Sequence, residues 1–148
     1  MNKKILVTII VIILMSITVI GCIKILNKPI HKEINKEDVL SIESWIAKEN
    51  GTTEIKDTIL FNNIINWFNN SYDIRANPEF AGTTPEVGIN INLKSGKCIS
   101  LRDGPADFDV QRDDVGDKIV SYFAKQQNIS KYLEGLSKVL KDYRENIH

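Results

Sequence analysis

The chain predicts an α+β fold: an antiparallel sheet of four to five strands with two helices packed on one face. Two kinds of pattern carry this. Between residues 89 and 102, apolar and polar residues alternate on both sides of a glycine turn, as in a hairpin with one face buried. From residues 57 to 69 and from 128 to 143, apolar residues recur at spacings of three and four, as on helices that bury one stripe. The order strand, strand, helix, strands, helix then gives a two-layer sandwich, since each one-sided element must bury its face against another.

The elements follow in chain order. Leu40, Ile42 and Ile46 share one parity, with Glu43 and Trp45 on the other, which predicts a strand starting near Val39. Asn50-Gly51 marks a turn, and Thr52 to Ile55 makes a short partner strand. Asp57 is a helix N-cap, its carboxylate placed to accept from free backbone amides. Leu60, Phe61, Ile64, Ile65 and Phe68 line one face of the helix, which frays at Asn69-Asn70-Ser71. Residues 72–87 contain Pro78, Gly82 and Pro85 and show no period. They predict a long irregular surface loop, and such loops are often functional. Tyr72, Arg75 and Phe80 are therefore the candidate interaction residues.

The hairpin register can be worked out. A two-residue Ser95-Gly96 loop would set Ile91 opposite Ser100 and mix the faces. A three-residue loop, Lys94-Ser95-Gly96, pairs Ile91 with Ile99 and Ile89 with Leu101, and puts glycine where the left-handed residue is needed. Cys98 then shares a polar face with Asn90, Asn92, Ser100 and Arg102, expected to be open to solvent. Phe108 and Val110 mark a further strand after Asp103-Gly104-Pro105. Ile119, Val120, Tyr122 and Phe123 mark another, rich in β-formers. Asn128 is the expected cap of the last helix, whose stripe is Ile129, Tyr132, Leu133, Leu136, Val139, Leu140 and Tyr143.

The N-terminus bears on location. Met1-Asn2-Lys3-Lys4 is basic, and residues 5–18 carry no charge. A basic start and an apolar run of about 7 to 15 residues have the form of an export signal. Val19-Ile20-Gly21-Cys22 follows, and the whole order resembles the lipobox of bacterial lipoproteins. That resemblance implies a lipid on the Cys22 thiol, cleavage before Cys22, and a body on the extracytoplasmic face of the cell membrane. The alternative is an uncleaved helix, because residues 5–23 reach the roughly 18 to 20 apolar positions that span a bilayer. Either way the remainder lies outside the cell. The organisation is a signal peptide at 1–21, a solvated membrane-proximal tether at 22–38 and an α+β domain at 39–148.

Composition narrows the function classes. The chain has 19 basic and 19 acidic residues. Losing Lys3 and Lys4 with the signal leaves 17 against 19, a net of −2, which argues against a nucleic-acid partner. If Cys22 carries lipid, Cys98 has no disulfide partner. His31 falls in the tether and His148 ends the chain, so the domain is left without the commonest general base and without a histidine zinc site. Asp103, Asp107, Asp109, Asp113, Asp114 and Asp117 form the densest polar run. They suit a calcium site or an acid/base pair, but turn chemistry accounts for them as well. No catalytic residue, metal or cofactor is predicted.

Several segments together resemble a known group. They are Asp57 opening a helix with Trp67-Phe68, then Pro78-Glu79-Phe80-Ala81-Gly82-Thr83-Thr84-Pro85 and Leu93-Lys94-Ser95-Gly96-Lys97. Asp107-Phe108-Asp109-Val110 and Tyr122-Phe123-Ala124-Lys125-Gln126 complete the set. They are similar to small uncharacterised lipoproteins of low-GC Gram-positive bacteria, a domain of unknown function. The likeness covers roughly residues 40–140 and implies a fold type and a location, not a site. The resulting expectation is a non-enzymatic binding or interaction module, tethered to the membrane through lipid on Cys22, with a protein or cell-wall partner. The alternatives are a small metal-dependent or acid/base enzyme using the aspartate run, and an inhibitor or immunity-type lipoprotein.

Overall fold

The computed structural model describes residues 30–47, 51–77, 84–104 and 107–145. The elements are β1 (Val39–Ile46), β2 (Thr52–Glu54), α1 (Thr58–Asn69), β3 (Tyr72–Ala76), β4 (Val87–Leu93), β5 (Cys98–Asp103), β6 (Phe108–Arg112), β7 (Val120–Lys125) and α2 (Gln127–Glu145). The strands form one sheet in the order β2-β1-β4-β5-β6-β7-β3, and every neighbouring pair is antiparallel. The chain thus lays down one edge, crosses to the other through α1, and fills the space between with the β4–β7 meander.

The α+β class with two helices holds, but the sheet has seven strands rather than four to five. The strand that no pattern announced, β3, opens the segment expected to be irregular. Its side chains are mostly exposed, so no buried alternation announces it. It is an edge strand held by pairing to β7, with a register shift between Tyr72 and Arg75. Asp73 sits in that shift at φ 51°, a left-handed position that aspartate tolerates better than most residues. Residues 78–83, and Phe80 among them, lie outside the described residues.

The hairpin has the worked-out register. Ile91 faces Ile99, Ile89 faces Leu101 and Asn92 faces Cys98, and Gly96 takes φ +80°. β1 corrects one residue. Its register shifts between Val39 and Ser41, and this bulge turns Leu40 outward, 67% exposed, while Val39 is buried instead. An extra residue in one strand reverses the parity before it. Asp57 caps α1 by accepting from the Ile59 and Leu60 amides at 2.7 and 3.1 Å. At α2 the capping acceptor is Gln126, whose Oε1 accepts from the Asn128 amide at 2.9 Å, so the expected cap residue is instead the second residue of the helix.

The core lies between one sheet face and the two helices. Ile42, Ile89, Ile91, Ile99, Leu101, Val110 and Tyr122 from the sheet meet Ile64, Phe68, Ile129 and Leu133 from the helices. Each buried aliphatic or Phe side chain contributes about 1.5–3 kcal/mol relative to exposure. The core also takes in part of the expected tether. Ile34 is buried and Ile30 packs against the cluster. Asn69 fixes Ile34 from both sides, its Oδ1 accepting from the Ile34 amide and its Nδ2 donating to the Ile34 carbonyl, each at 2.9 Å. Residues 30–38 are therefore a strap on the body, not a solvated spacer.

Candidate functional site

Among the described residues no helix covers the second face of the sheet. Strand pairing arranges its side chains in rows. One row runs Trp45, Gly88, Arg102, Asp109, Phe123, Arg75 across six strands. A second runs Glu54, Glu43, Asn90, Ser100, Gln111, Ser121. A third holds Ser41, Asn92 and Cys98, with Asn92 Nδ2 donating to Ser41 Oγ at 3.0 Å. The face is rich in amides and hydroxyls and carries little net charge.

Trp45 lies across Gly88. A Cβ at Gly88 would come within 2.5 Å of the indole carbons Cε2 and Cζ2 and within 2.7 Å of the Leu101 carbonyl oxygen. Glycine is therefore required for the ring to lie flat on the strand. Beside it, Arg102 pairs with Asp109, their side chains only 11% and 13% exposed. Asp109 Oδ1 is buried without a hydrogen-bond partner.

A hollow of about 230 Å³ opens on the same face between Cys98, Ser100, Gln111, Asp113 and Ile119. Cys98 is half-buried there, so this part of the face is less open to water than expected. Its amide donates to Asp113 Oδ1 at 2.7 Å. Burial first, then the Asp113 and Glu43 carboxylates, push its thiol pKa up. Less thiolate is present than in a free cysteine, so it reacts more slowly.

The aspartate run disperses in space. Asp107 pairs with Arg75, Asp109 with Arg102 and Asp114 with Arg112. Asp113 holds the Cys98 amide, and Asp103 accepts from Ser137 Oγ at 3.3 Å. Asp103, Asp107 and Glu134 do border a small hollow of about 150 Å³ near α2. No set of three or more His, Cys, Asp or Glu side chains is placed to hold a metal ion among the described residues.

A second polar cluster was hidden from sequence reading. Arg112 is fully buried on the core face. Its Nε and Nη2 donate to Asp114 Oδ1 and Oδ2, both at 2.7 Å, and its Nη1 donates to the Lys32 carbonyl at 2.7 Å. The guanidinium carbon lies 5.3 Å from the Phe68 ring centroid. Burial works against the Arg112 charge, but Asp114 and Tyr122 together outweigh it and its pKa is raised. Burial likewise pushes the Tyr122 hydroxyl up to about 12, against the pull of Arg112. His31 completes the cluster. Its Nδ1 and the Tyr122 hydroxyl are hydrogen-bonded at 2.8 Å, and its ring lies 4.8 Å from that of Phe68. The folded body thus contains a histidine after all. The available signals were the parity of Arg112 with Phe108 and Val110, and Ile30 and Ile34 standing apolar in a charged stretch.

Of the three candidate loop residues, Tyr72 and Arg75 lie on the edge strand β3. Tyr72 is exposed, and Arg75 is engaged with Asp107 and lies 3.8 Å from Asp73. Arg75 ends the row that contains Trp45, so the structure attaches it to the helix-free face. Phe80 and Cys22 lie outside the described residues. Among those residues no helix is long and apolar enough to cross a membrane. No protein family, no curated protein and no solved structure matches the chain.

Proposed function

We propose that this chain is a lipoprotein, anchored through Cys22 on the extracytoplasmic face of the cell membrane. Its body is a non-enzymatic binding module that meets a protein or cell-wall partner through the helix-free sheet face. The observation that carries the binding surface is Trp45, laid flat over Gly88 within a polar, weakly charged row. Tryptophan and arginine supply most of the anchoring energy at protein interfaces, and amides and hydroxyls around them pair with a partner's polar groups at small desolvation cost. The anchor rests on the order of charge, apolar run, glycine and cysteine at the N-terminus. The likeness to small lipoproteins of low-GC Gram-positive bacteria supports the same placement. Seven residues separate Cys22 from Ile30, and fully extended they reach at most about 25 Å. A body tied that closely works at the membrane surface.

The anchor has a direct test. Radiolabelled fatty acid should enter the wild-type protein and not Cys22→Ala, and the mature chain should begin at Cys22. Equal labelling, or a mature protein that keeps Met1, sinks the lipoprotein reading in favour of a membrane helix.

The surface is tested separately, by a photoreactive residue at Ser100 on the sheet face or at Val139 on the exposed side of α2, in intact cells. A discrete adduct should form from Ser100 and not from Val139. Trp45→Ala should weaken it about tenfold, as loss of an anchoring aromatic does. No adduct from Ser100, or equal adducts from both sites, removes this face as the binding surface.

A further inference from the structure

The strap formed by residues 30–38 is held at separate points along its length. Asn69 grips Ile34, Arg112 holds the Lys32 carbonyl, Ile30 and Ile34 pack on the core, the Asp38 carbonyl accepts from the Lys94 amide at 2.8 Å, and His31 docks on Phe68 and Tyr122. A cavity of about 250 Å³ lies between the strap and the β4–β5 turn, bordered by Lys32, Ile34, Asp38, Leu93, Lys94 and Asp114. Of the strap's attachments, His31 is the side chain that ordinarily titrates between pH 5 and 8.

We infer that this strap is a pH-operated latch, docked while His31 is neutral and released when His31 takes a proton, with the sheet and helices remaining folded. The groups facing His31 decide the direction. β6 presents the Arg112 guanidinium, β7 the Tyr122 hydroxyl, and the turn after β6 the Asp114 carboxylate already bound to Arg112. α1 brings no charged side chain, only the Phe68 ring and the Phe68 and Asn69 carbonyls. Lys32 and Glu33 flank His31 on the strap itself. Burial and then Arg112 hold the His31 pKa below its ordinary value, and the two carbonyls and Glu33 oppose them without prevailing. His31 Nε2 is buried without a hydrogen-bond partner, so the docked ring has no hydrogen-bonded carboxylate to pair with an added proton.

The sign follows by linkage. The released strap binds a proton at the ordinary histidine pKa of about 6.5, while the docked strap binds it only at a lower pH. Docking is therefore unaffected above about pH 7.5 and weakens as pH falls through about 6.5. At pH 5 the released fraction can rise at most about thirtyfold over its value at pH 7.5, the limit in which docked His31 stays neutral. The latch does not depend on lipidation. If Cys22 is the anchor, release adds nine residues to the tether, up to about 30 Å of reach, and lets the body stand away from an acidified membrane surface.

Amide hydrogen exchange on the full chain in lipid nanodiscs tests this at pH 7.5 and pH 5, corrected for intrinsic rates. The Ile34 and Asp38 amides should lose protection by more than threefold and up to about thirtyfold on acidification, while amides of β4 and β5 keep theirs. In His31→Phe, which keeps a ring on Phe68, the pH dependence should vanish whatever the absolute protection. A wild-type change under twofold overturns the latch. So does an undiminished change in His31→Phe, or loss of protection in the sheet together with the strap. Should that variant fail to fold, the wild-type opening is followed across pH: it should be flat above about pH 7.5 and rise below about 6.5 by no more than about tenfold per pH unit, and a rise that begins only below about pH 5, where carboxylates titrate, overturns it equally.

Discussion

Replacing Arg112 with methionine should cost about 3–5 kcal/mol of folding stability, the loss expected when one partner of a buried ion pair is removed. Methionine nearly fills the space, so the effect is electrostatic rather than a cavity. The guanidinium is fully buried and Asp114 is 12% exposed. Removing the cation leaves a carboxylate with two unmade charge-assisted bonds and a Lys32 carbonyl with no donor from Arg112. Domains of this size are stable by about 5–15 kcal/mol, so the loss is a large share of the total. Urea unfolding monitored by tryptophan fluorescence measures it. The double variant Arg112→Met, Asp114→Leu should recover at least half, because replacing a buried pair as a unit avoids the stranded charge. A single-variant cost below about 1 kcal/mol would mean that water reaches Arg112 and that it is not the buried hub described above.

Much of the fold was legible because the two periods of regular structure are distinct. The β4–β5 register followed from one requirement, that Ile89, Ile91, Leu93, Ile99 and Leu101 share a face. Asp57 was legible because its cap is a local interaction between a carboxylate and the next two or three amides. What escaped were features set by distant partners. β3 is short and mostly exposed, with Ile74 alone packed against the core. It exists because β7 offers an unpaired edge, with Lys125 Nζ reaching Asp73 at 2.8 Å. Leu40 was misassigned because a bulge lets one residue slip without any mark in the sequence.

The candidate surfaces were legible only in part. The polar face of the hairpin could be read, but its extension to Trp45 on one side and Arg75 on the other needs the strand order, which pattern alone does not supply. Arg112 was obscured by its setting. Within a run of aspartates it reads as one more surface charge, and only its parity with Phe108 and Val110 points inward. His31 was assigned to a spacer because the strap's hold depends on Asn69 and Arg112, 35 and 80 residues further along.

Phe68→Ala is expected to destabilise the body by about 3–5 kcal/mol, the usual cost of removing a buried phenylalanine that neighbours cannot replace. Phe68 is fully buried in the last turn of α1, where it joins three parts of the structure. It packs α1 onto the sheet core, it stands against His31 of the strap at 4.8 Å, and it lies under the Arg112 guanidinium at 5.3 Å. A cation over an aromatic face adds about 0.5–2 kcal/mol when desolvated. The cavity left by alanine cannot close easily, since the Arg112–Asp114 pair beside it is fixed by its own hydrogen bonds. Phe68→Leu separates the contributions. It refills much of the volume, so it should cost less than the alanine variant while still removing the ring from the cation. A double-mutant cycle between Phe68→Leu and Arg112→Met should then show a coupling of about 0.5–2 kcal/mol. Strict additivity would mean that the ring and the guanidinium are neighbours without an energetic link, and that Phe68 acts through packing alone.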